Sequence, residues 1–460
     1  MSRKSREVGA ERLDGLETVH KHRFRASHHP RASMLKTSNP GQSAIARVTT
    51  MRRSDDTILR LGGDGAGHYM TWAADDRQYA TILDGSGWPE FARHHCTRLF
   101  AISGTPHNAT FQSVPDYPDI NMFDLLVDTG AAFYGSGALA VEGHIYQFLA
   151  TYDQPLLIAD KATWAGLHYN GAKLIFSPDN GRTWCNQDGS TPVRRESRCD
   201  LSRETLVFFK EPQNAFTLLT FLQMGKGYQE NRDGYVYVYS PNGIADGAVN
   251  ELVMFRVPRT KVRERAAYEF FAGVRGDGEA RWTMDINERR VVHTFPRGWG
   301  CQPGLARGWA WLPSVVYNQA LGIYMMANGA CGVAEGEAPD FCAVEQGTKP
   351  SYLGFWIASA PWGPWIQVYE ETAWMPAGDP AVRADAPHIA PKWIANDGKS
   401  FWLTWWDGQP TRGLKSNIEE GFVRAVQSGD RDEFQRLRFQ WRQYHPYFAL
   451  NAERVDLVIK

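Results

Sequence analysis

Apolar and polar positions alternate along this chain in short runs, and five of those runs share one form: an apolar strand, a tight polar turn and a second strand rich in aromatics. They are "YMTWAADDRQYATIL", "GALAVEGHIYQFLA", "TLLTFLQMGKGYQENRDGYVYVYS", "SVVYNQALGIYMMA" and "KWIANDGKSFWLTWW". Alternation of period two is the signature of half-buried strands. The turns carry Asp-Asp, Glu-Gly, Asp-Gly, Ala-Leu-Gly and Asp-Gly, which supply the backbone freedom a hairpin needs. Further strands follow most of them: "RLFAISG", "ELVMFRVP" and "YLGFWIASAPWGPWIQVYE", with "FALNAERVDLVIK" reading as a last strand that closes the ring. Regular recurrence of such units predicts an all-β chain, a five-bladed β-propeller of four-stranded antiparallel blades with few short helices. A ring of six or seven blades, some degenerate, is the alternative. The best helix candidate is "RTKVRERAAYEFFAG".

One outer hairpin carries more detail. "KLIFSPDNGRTW" places Ser177, Asp179, Gly181, Thr183 and Trp184 in the spacing of an Asp-box turn, as in sialidases and other propellers. "SAPWGPW" echoes it: Ser359 and Gly363 keep the four-residue step, and Trp365 falls one place short. Such a turn joins the outer strands of a blade, so it marks architecture and is read as structural.

Composition narrows the picture. Hydrophobic residues make up 43% of 460, ample for a packed core. The 17 Trp and 18 Tyr suit strands and also suit surfaces on which sugar rings stack. A net charge of −1 gives no electrostatic footprint for nucleic acid. The first 55 residues are basic and without apolar periodicity, and are read as a disordered leader; residues 56–460 are read as one propeller domain. No signal-peptide core or bilayer-spanning run is visible as written, so the expectation is a monomer away from the membrane. Cys185 with Cys199, and Cys331 with Cys342, are spaced to close short disulfides under oxidising conditions, with free thiols as the alternative.

Propeller topology converts repeats into a site. The first strand of each blade lines the channel, so one face is built from segments entering first strands and loops leaving second strands. That rule selects Asp64 and His68; Asp84, Trp88, Glu90, His94 and His95; Asp124, Asp128 and Tyr134; Arg297, Trp299, Arg307 and Trp309; and Arg383, Asp385, His388, Asp407 and Arg412. Two carboxylates in such a mouth can protonate a glycosidic oxygen and activate water or form a glycosyl intermediate. Taken singly, an Asp beside Gly is more often a turn residue, and adjacent His94 and His95 cannot both face the channel.

The segments "GYVYVYS", "FRVPRTKVRERAAYEFFAG", "VVYNQALGIYMM" and "PKWIANDGKSFWL" resemble bacterial five-bladed-propeller proteins related to endo-D-arabinanase glycoside hydrolases. The resemblance implies hydrolysis of an oligo- or polysaccharide with Asp84 catalytic. The chain departs from the pattern there, with Leu83 before and Gly85 after, and no second acid close by. The candidate set is therefore Asp84, His95, Asp128 and Asp385 as catalysts, with Trp88, His94, Tyr134, Arg297, Arg307 and His388 binding substrate. A polysaccharide lyase is the second expectation, with His95 or His94 and Tyr134 moving the proton and Arg297 and Arg307 holding a uronate. A non-catalytic glycan-binding propeller is the third. No cofactor is required; a calcium ion on the axis is compatible with the fold, though no ligand motif demands one.

Overall fold

A computed structural model describes residue 45 and residues 47–90, 92–120, 132–152, 169–196, 201–203, 207–243, 248–295, 312–332, 349–408 and 416–460. The chain begins its first sheet at β1 (Val48–Gly62), so the boundary read at residue 55 falls inside a strand. Blade one is β2 (Asp64–Trp72), β3 (Gln78–Gly87), β4 (His95–Ser103) and β5 (Thr110–Ser113). Blade two is β6 (Ala132–Val141), β7 (His144–Tyr152), β8 (Gly171–Ser177) and β9 (Cys185–Asn186). Blade three runs β10 (Thr220–Phe221), β11 (Tyr235–Asn242), β12 (Ala248–Pro258), β13 (Glu269–Val274) and β14 (Ala280–Thr283), with β15 (His293–Thr294) on β12. Blade four is β16 (Ser314–Asn318), β17 (Ile323–Gly332), β18 (Lys349–Ala358) and β19 (Ile366–Trp374). Blade five is β20 (Arg383–Ile394), β21 (Ser400–Gly408), β22 (Leu450–Ile459) and, outermost, β1.

The protein is thus a five-bladed β-propeller, and each of the five hairpins read from the sequence is the inner hairpin of one blade. Two details differ from expectation. Blade three carries six strands. The closing strand is also not the C-terminal one: β22 is third in its blade, and β1 pairs outside it from Val48↔Ile459 to Gly62↔Leu450. Closure therefore joins the two ends of the sheet-forming chain, so opening the ring requires breaking this ladder.

Hydrogen bonds also bind the first strands into a ring. Ala140 N donates to Thr71 Oγ1 (2.8 Å) across blades one and two, and Gly137 N to Leu219 O (2.6 Å) across two and three. Gln223 N reaches Val315 O (2.9 Å), Ile389 N reaches Ser314 Oγ (3.0 Å), and Lys392 N reaches Gln78 Oε1 (2.9 Å). These five contacts satisfy groups that a buried first strand would otherwise leave unpaired. Trp356, Trp374 and Trp405 are fully buried and fill space between and within blades, leaving no face for a sugar.

The outer turn of blade two is structural. Asp179 accepts from Thr183 N (2.8 Å) and Thr183 Oγ1 (2.9 Å), Ser177 Oγ accepts from Gly181 N (2.7 Å), and Tyr79 of blade one donates to Asn180 O (2.8 Å). Cys185, beside it, is a buried free thiol; Cys199 and Cys342 lie outside the described residues.

The helix expected over "RTKVRERAAYEFFAG" does not form. Two short 3-10 turns, Arg259–Lys261 and Arg265–Ala267, lead into β13, where aromatic and apolar side chains pack as a strand. The helices lie between β21 and β22 instead: α1 (Ser416–Ser428) and α2 (Arg431–Tyr444). Asp430 caps α2 by accepting from Glu433 N (2.9 Å). Its buried Phe434, Leu437, Arg438, Trp441 and Arg442 recur at three- and four-residue steps along one face. No helix among the described residues is long and apolar enough to cross a membrane.

Candidate functional site

At the end where first strands enter, the ladders become irregular. Register shifts fall between Gly67 and Tyr69 in β2, Gly135 and Ala138 in β6, and Asp385 and His388 in β20. Three non-glycine residues there have positive φ: His68 (57°), Asp84 (49°) and Ala386 (50°). Such backbone costs L-residues energy, and bulges re-aim side chains. Positive φ also occurs at the opposite turns, at Asp76 and Glu142, so at the entry ends it is the coincidence with ladder bulges that sets His68 and Ala386 apart.

Asp84 sits half-buried near the end of β3. Asp385 is buried in β20, where one carboxylate oxygen accepts from Ala386 N (2.7 Å). Their chain neighbours Leu83 and Ala386 pack against one apolar cluster with Ala66 and Trp406. His388 lies beneath, edge-on to Tyr69 with ring centroids 4.5 Å apart. Burial, with His388 nearby, pushes the His68 imidazole down to about 3; burial alone takes His388 to about 3. Both rings are therefore neutral in ordinary conditions. His68 Nδ1 and His388 Nε2 are buried and have no hydrogen-bond partner among the described residues. Tyr134 lies edge-on to Tyr169 at 6.3 Å, and Tyr169 packs with Tyr69 and Leu83. His388, His68, Tyr69, Tyr169 and Tyr134 thus belong to one neighbourhood.

The helix pair covers one side of this mouth. Ala66, Leu83 and Ala386 pack under Ile418, Ala425, Phe434, Leu437 and Trp441. Asp64, buried at the start of β2, accepts from Ser86 N (3.1 Å) and Arg438 Nη2 (3.3 Å) and is ion-paired with Arg442, whose Nε stands 3.3 Å away. Arg438 also donates to Asp84 O (2.5 Å). Asp64 is thereby committed to holding α2, and α2 to holding the peptide of Asp84. Arg438 and Arg442 escaped the sequence reading because α2 did; their four-residue spacing within "RLRFQWR" is the signal that reveals them.

Four candidates are buried, occupied or turned into another cavity. Trp88 is no sugar platform: Phe111 stacks on one face at 4.0 Å, and the backbone of Gly63 lies so close to the indole that a Cβ there would come within 2.7 Å of it. Its Nε1 is taken by Leu61 O (3.2 Å). His94 is buried under α2, edge-on to Phe434 at 5.2 Å, and burial followed by Arg438 holds its imidazole well below the usual range. His95 points away from the channel into a lateral cavity of about 470 Å³ that Arg93, Arg98, Ser113, Tyr117 and Asp119 also line. Asp407, at the end of β21, is occupied by Arg60 (2.6 Å) and Trp405 Nε1 (2.7 Å). Asp128, Arg297 and Arg307 lie outside the described residues. Among the described residues no group of three or more His, Cys, Asp or Glu converges as a metal would require.

No protein-family model matches the chain, and no curated protein matches it. Solved structures share its course at low identity. An α-L-arabinofuranosidase from Podospora anserina is 10% identical, with 89% of this chain and 95% of that chain covered at a TM-score of 0.39. A GH43_1 enzyme from Xanthomonas citri is 10% identical, with 90% and 92% covered at 0.37. An inulosucrase from Halalkalicoccus jeotgali is 12% identical, with 89% and 91% covered at 0.42.

Proposed function

We propose that the protein hydrolyses glycosidic bonds of an oligo- or polysaccharide at the propeller mouth, with Asp84 and Asp385 as its two carboxyl groups. What supports this reading is the placing of Asp84 near the end of β3, and of Asp385 with the neutral His68 and His388 imidazoles on the bulged entry ends of β2 and β20. One carboxylic acid protonates the leaving oxygen, and the other carboxylate activates water or attacks the anomeric carbon. His68 and His388 are too weakly basic for proton abstraction near neutrality. Neutral imidazoles instead offer one donor and one acceptor each to sugar hydroxyls. Tyr134 and Tyr69 supply apolar wall. This chemistry needs no cofactor.

A panel of polysaccharides read for new reducing ends and for ultraviolet-absorbing unsaturated uronates tests the proposal. Reducing ends without ultraviolet product, abolished by Asp84→Asn and by Asp385→Asn, is the expected result; full turnover in either variant removes that residue from the mechanism. β-Elimination is the alternative outcome, although His95, 4.0 Å from the Asp119 carboxylate and held down to about 4 chiefly by burial, is also a weak base. Ultraviolet product lost in His95→Ala would select it. Binding with neither product would leave a glycan-binding propeller.

A further inference from the structure

The lateral cavity on blade one has a composition of its own. Arg93 and Asp119 form an ion pair (2.7 Å) with both side chains about half exposed, 48% and 45%. His95 Nδ1 stands 4.0 Å from the other oxygen of Asp119. Pro89, Ala92, Phe100 and Pro115 complete an apolar wall. The volume, about 470 Å³, is that of a small-ligand pocket, which typically spans 300–1,000 Å³.

We propose that this cavity is a second binding subsite, separate from the mouth, for one neutral sugar ring of the glycan; the assignment rests on the glycan-cleaving reading above. Three arguments carry it. First, the polar groups are matched to hydroxyls. Arg93 donates, Asp119 accepts, and His95 can do either, so a pair of ring hydroxyls can bridge Arg93 and Asp119 while the C–H face lies on the apolar wall. Second, the ion pair yields at little cost, since exposed pairs contribute about 0–1 kcal/mol. Third, the cavity is poorly suited to an acid. Arg98 is turned inward, donating to Ser113 Oγ (3.0 Å) and Val114 O (2.8 Å), and Arg93 is already neutralised. A uronate taking Arg93 would set its carboxylate against Asp119, a like-charge contact in a partly dry site. Burial, followed by Arg98, holds the His95 imidazole down to about 4 despite Asp119, so the cavity adds no positive charge at neutral pH. Ser86 connects the two sites: it lines this cavity and donates to Asp64 beneath the mouth.

The test is saturation-transfer NMR on the full chain with L-arabinose, D-xylose, D-galactose and D-glucose, set against D-glucuronate and D-galacturonate. At least one neutral sugar should bind, and binding should persist in Asp84→Asn. It should weaken about tenfold in Asp119→Ala and in Arg93→Ala, as loss of a charged hydrogen bond requires. Asp119→Asn, which keeps the shape, should give an intermediate loss with an unchanged melting temperature. The proposal is overturned by absence of neutral-sugar binding, by binding that ignores both alanine variants, or by uronates binding as tightly as neutral sugars. Failure of the hydrolase reading is a separate result, since it shows as no new reducing ends from any polymer with the unaltered protein.

Discussion

Replacing Arg438 by Met keeps an unbranched apolar side chain and removes the guanidinium, whose carbon lies over Trp441 (4.3 Å) and Phe448 (4.9 Å). Two hydrogen bonds disappear: the one to Asp64 Oδ1 (3.3 Å) and the one to Asp84 O (2.5 Å). Asp64 is about 1% exposed, so water cannot replace the lost donor, although the ion pair with Arg442 and the Ser86 N–H remain. Hydrogen bonds to charged groups contribute about 1.5–3 kcal/mol each, and the long bond to Asp64 belongs at the low end. The sum is about 3–4 kcal/mol, in line with about 3–5 kcal/mol for breaking a buried pair. With unfolding entropy of about 2.1 cal/mol/K per residue over roughly 400 residues, the melting temperature should fall by about 4–5 °C.

Scanning calorimetry of Arg438→Met, Asp64→Asn and the double variant gives the decisive reading. If the pair is one unit, the double variant loses less than the sum of the singles, with a coupling of about 1 kcal/mol or more. Because Arg438 also holds the Asp84 peptide, cleavage should decline in Arg438→Met at temperatures where the fold is intact. An unshifted melting point, or strictly additive losses, would refute the claim that α2 is clamped to the mouth through Asp64.

Asp84→Asn and Asp385→Asn should each lower reducing-end release by about 10²–10⁴-fold, the usual weight of a positioned acid or base, with circular dichroism unchanged. Gly137→Ala tests the ring: its Cβ would meet Leu219 O at 2.8 Å and Thr220 Cα at 2.8 Å, backbone that cannot step aside, so a loss of about 1–3 kcal/mol is expected on denaturant unfolding. Acid should destabilise the fold through its buried histidines. His68, His388 and His445 are each held down to about 3, chiefly by burial, so the unfolded chain binds protons the folded one refuses. The stability they give is complete above about pH 6.5 and drains as pH falls toward about 3, by up to about 1.4 kcal/mol per pH unit per histidine. His445→Phe, which preserves stacking on Trp441, should reduce the slope of melting temperature against pH between 6.5 and 4.5; an unaltered slope would exclude His445 from this linkage.

What the sequence disclosed and what it withheld divide along physical lines. The inner hairpins were legible because alternation and Asp-Gly turns are local signals, and the ring followed from their repetition. β1 was not, because an outermost strand buries little and "VTTMRRSDDTILRLG" reads as polar. The positive φ at His68, Asp84 and Ala386 had no sequence mark, since none of them is glycine. Asp119 and Arg93 meet only because β4 and β5 fold the chain back across blade one, a long-range consequence no local pattern contains.

The adjacent histidines show how one missed element propagates. Successive residues of an extended segment point to opposite sides, so His94 and His95 had to diverge, and topology alone could not say which side was wet. α2 decides it. With Phe434 over His94 and Arg438 on the Asp84 carbonyl, the side first taken for open mouth is filled by protein. His95 lines the cavity that holds Asp119. Had the stepped pattern of Phe434, Leu437, Arg438, Trp441 and Arg442 been read as a helix, the mouth would have been narrowed to the side of Asp385 and His388. The same step would have moved His95 from catalyst at the axis to the lateral subsite.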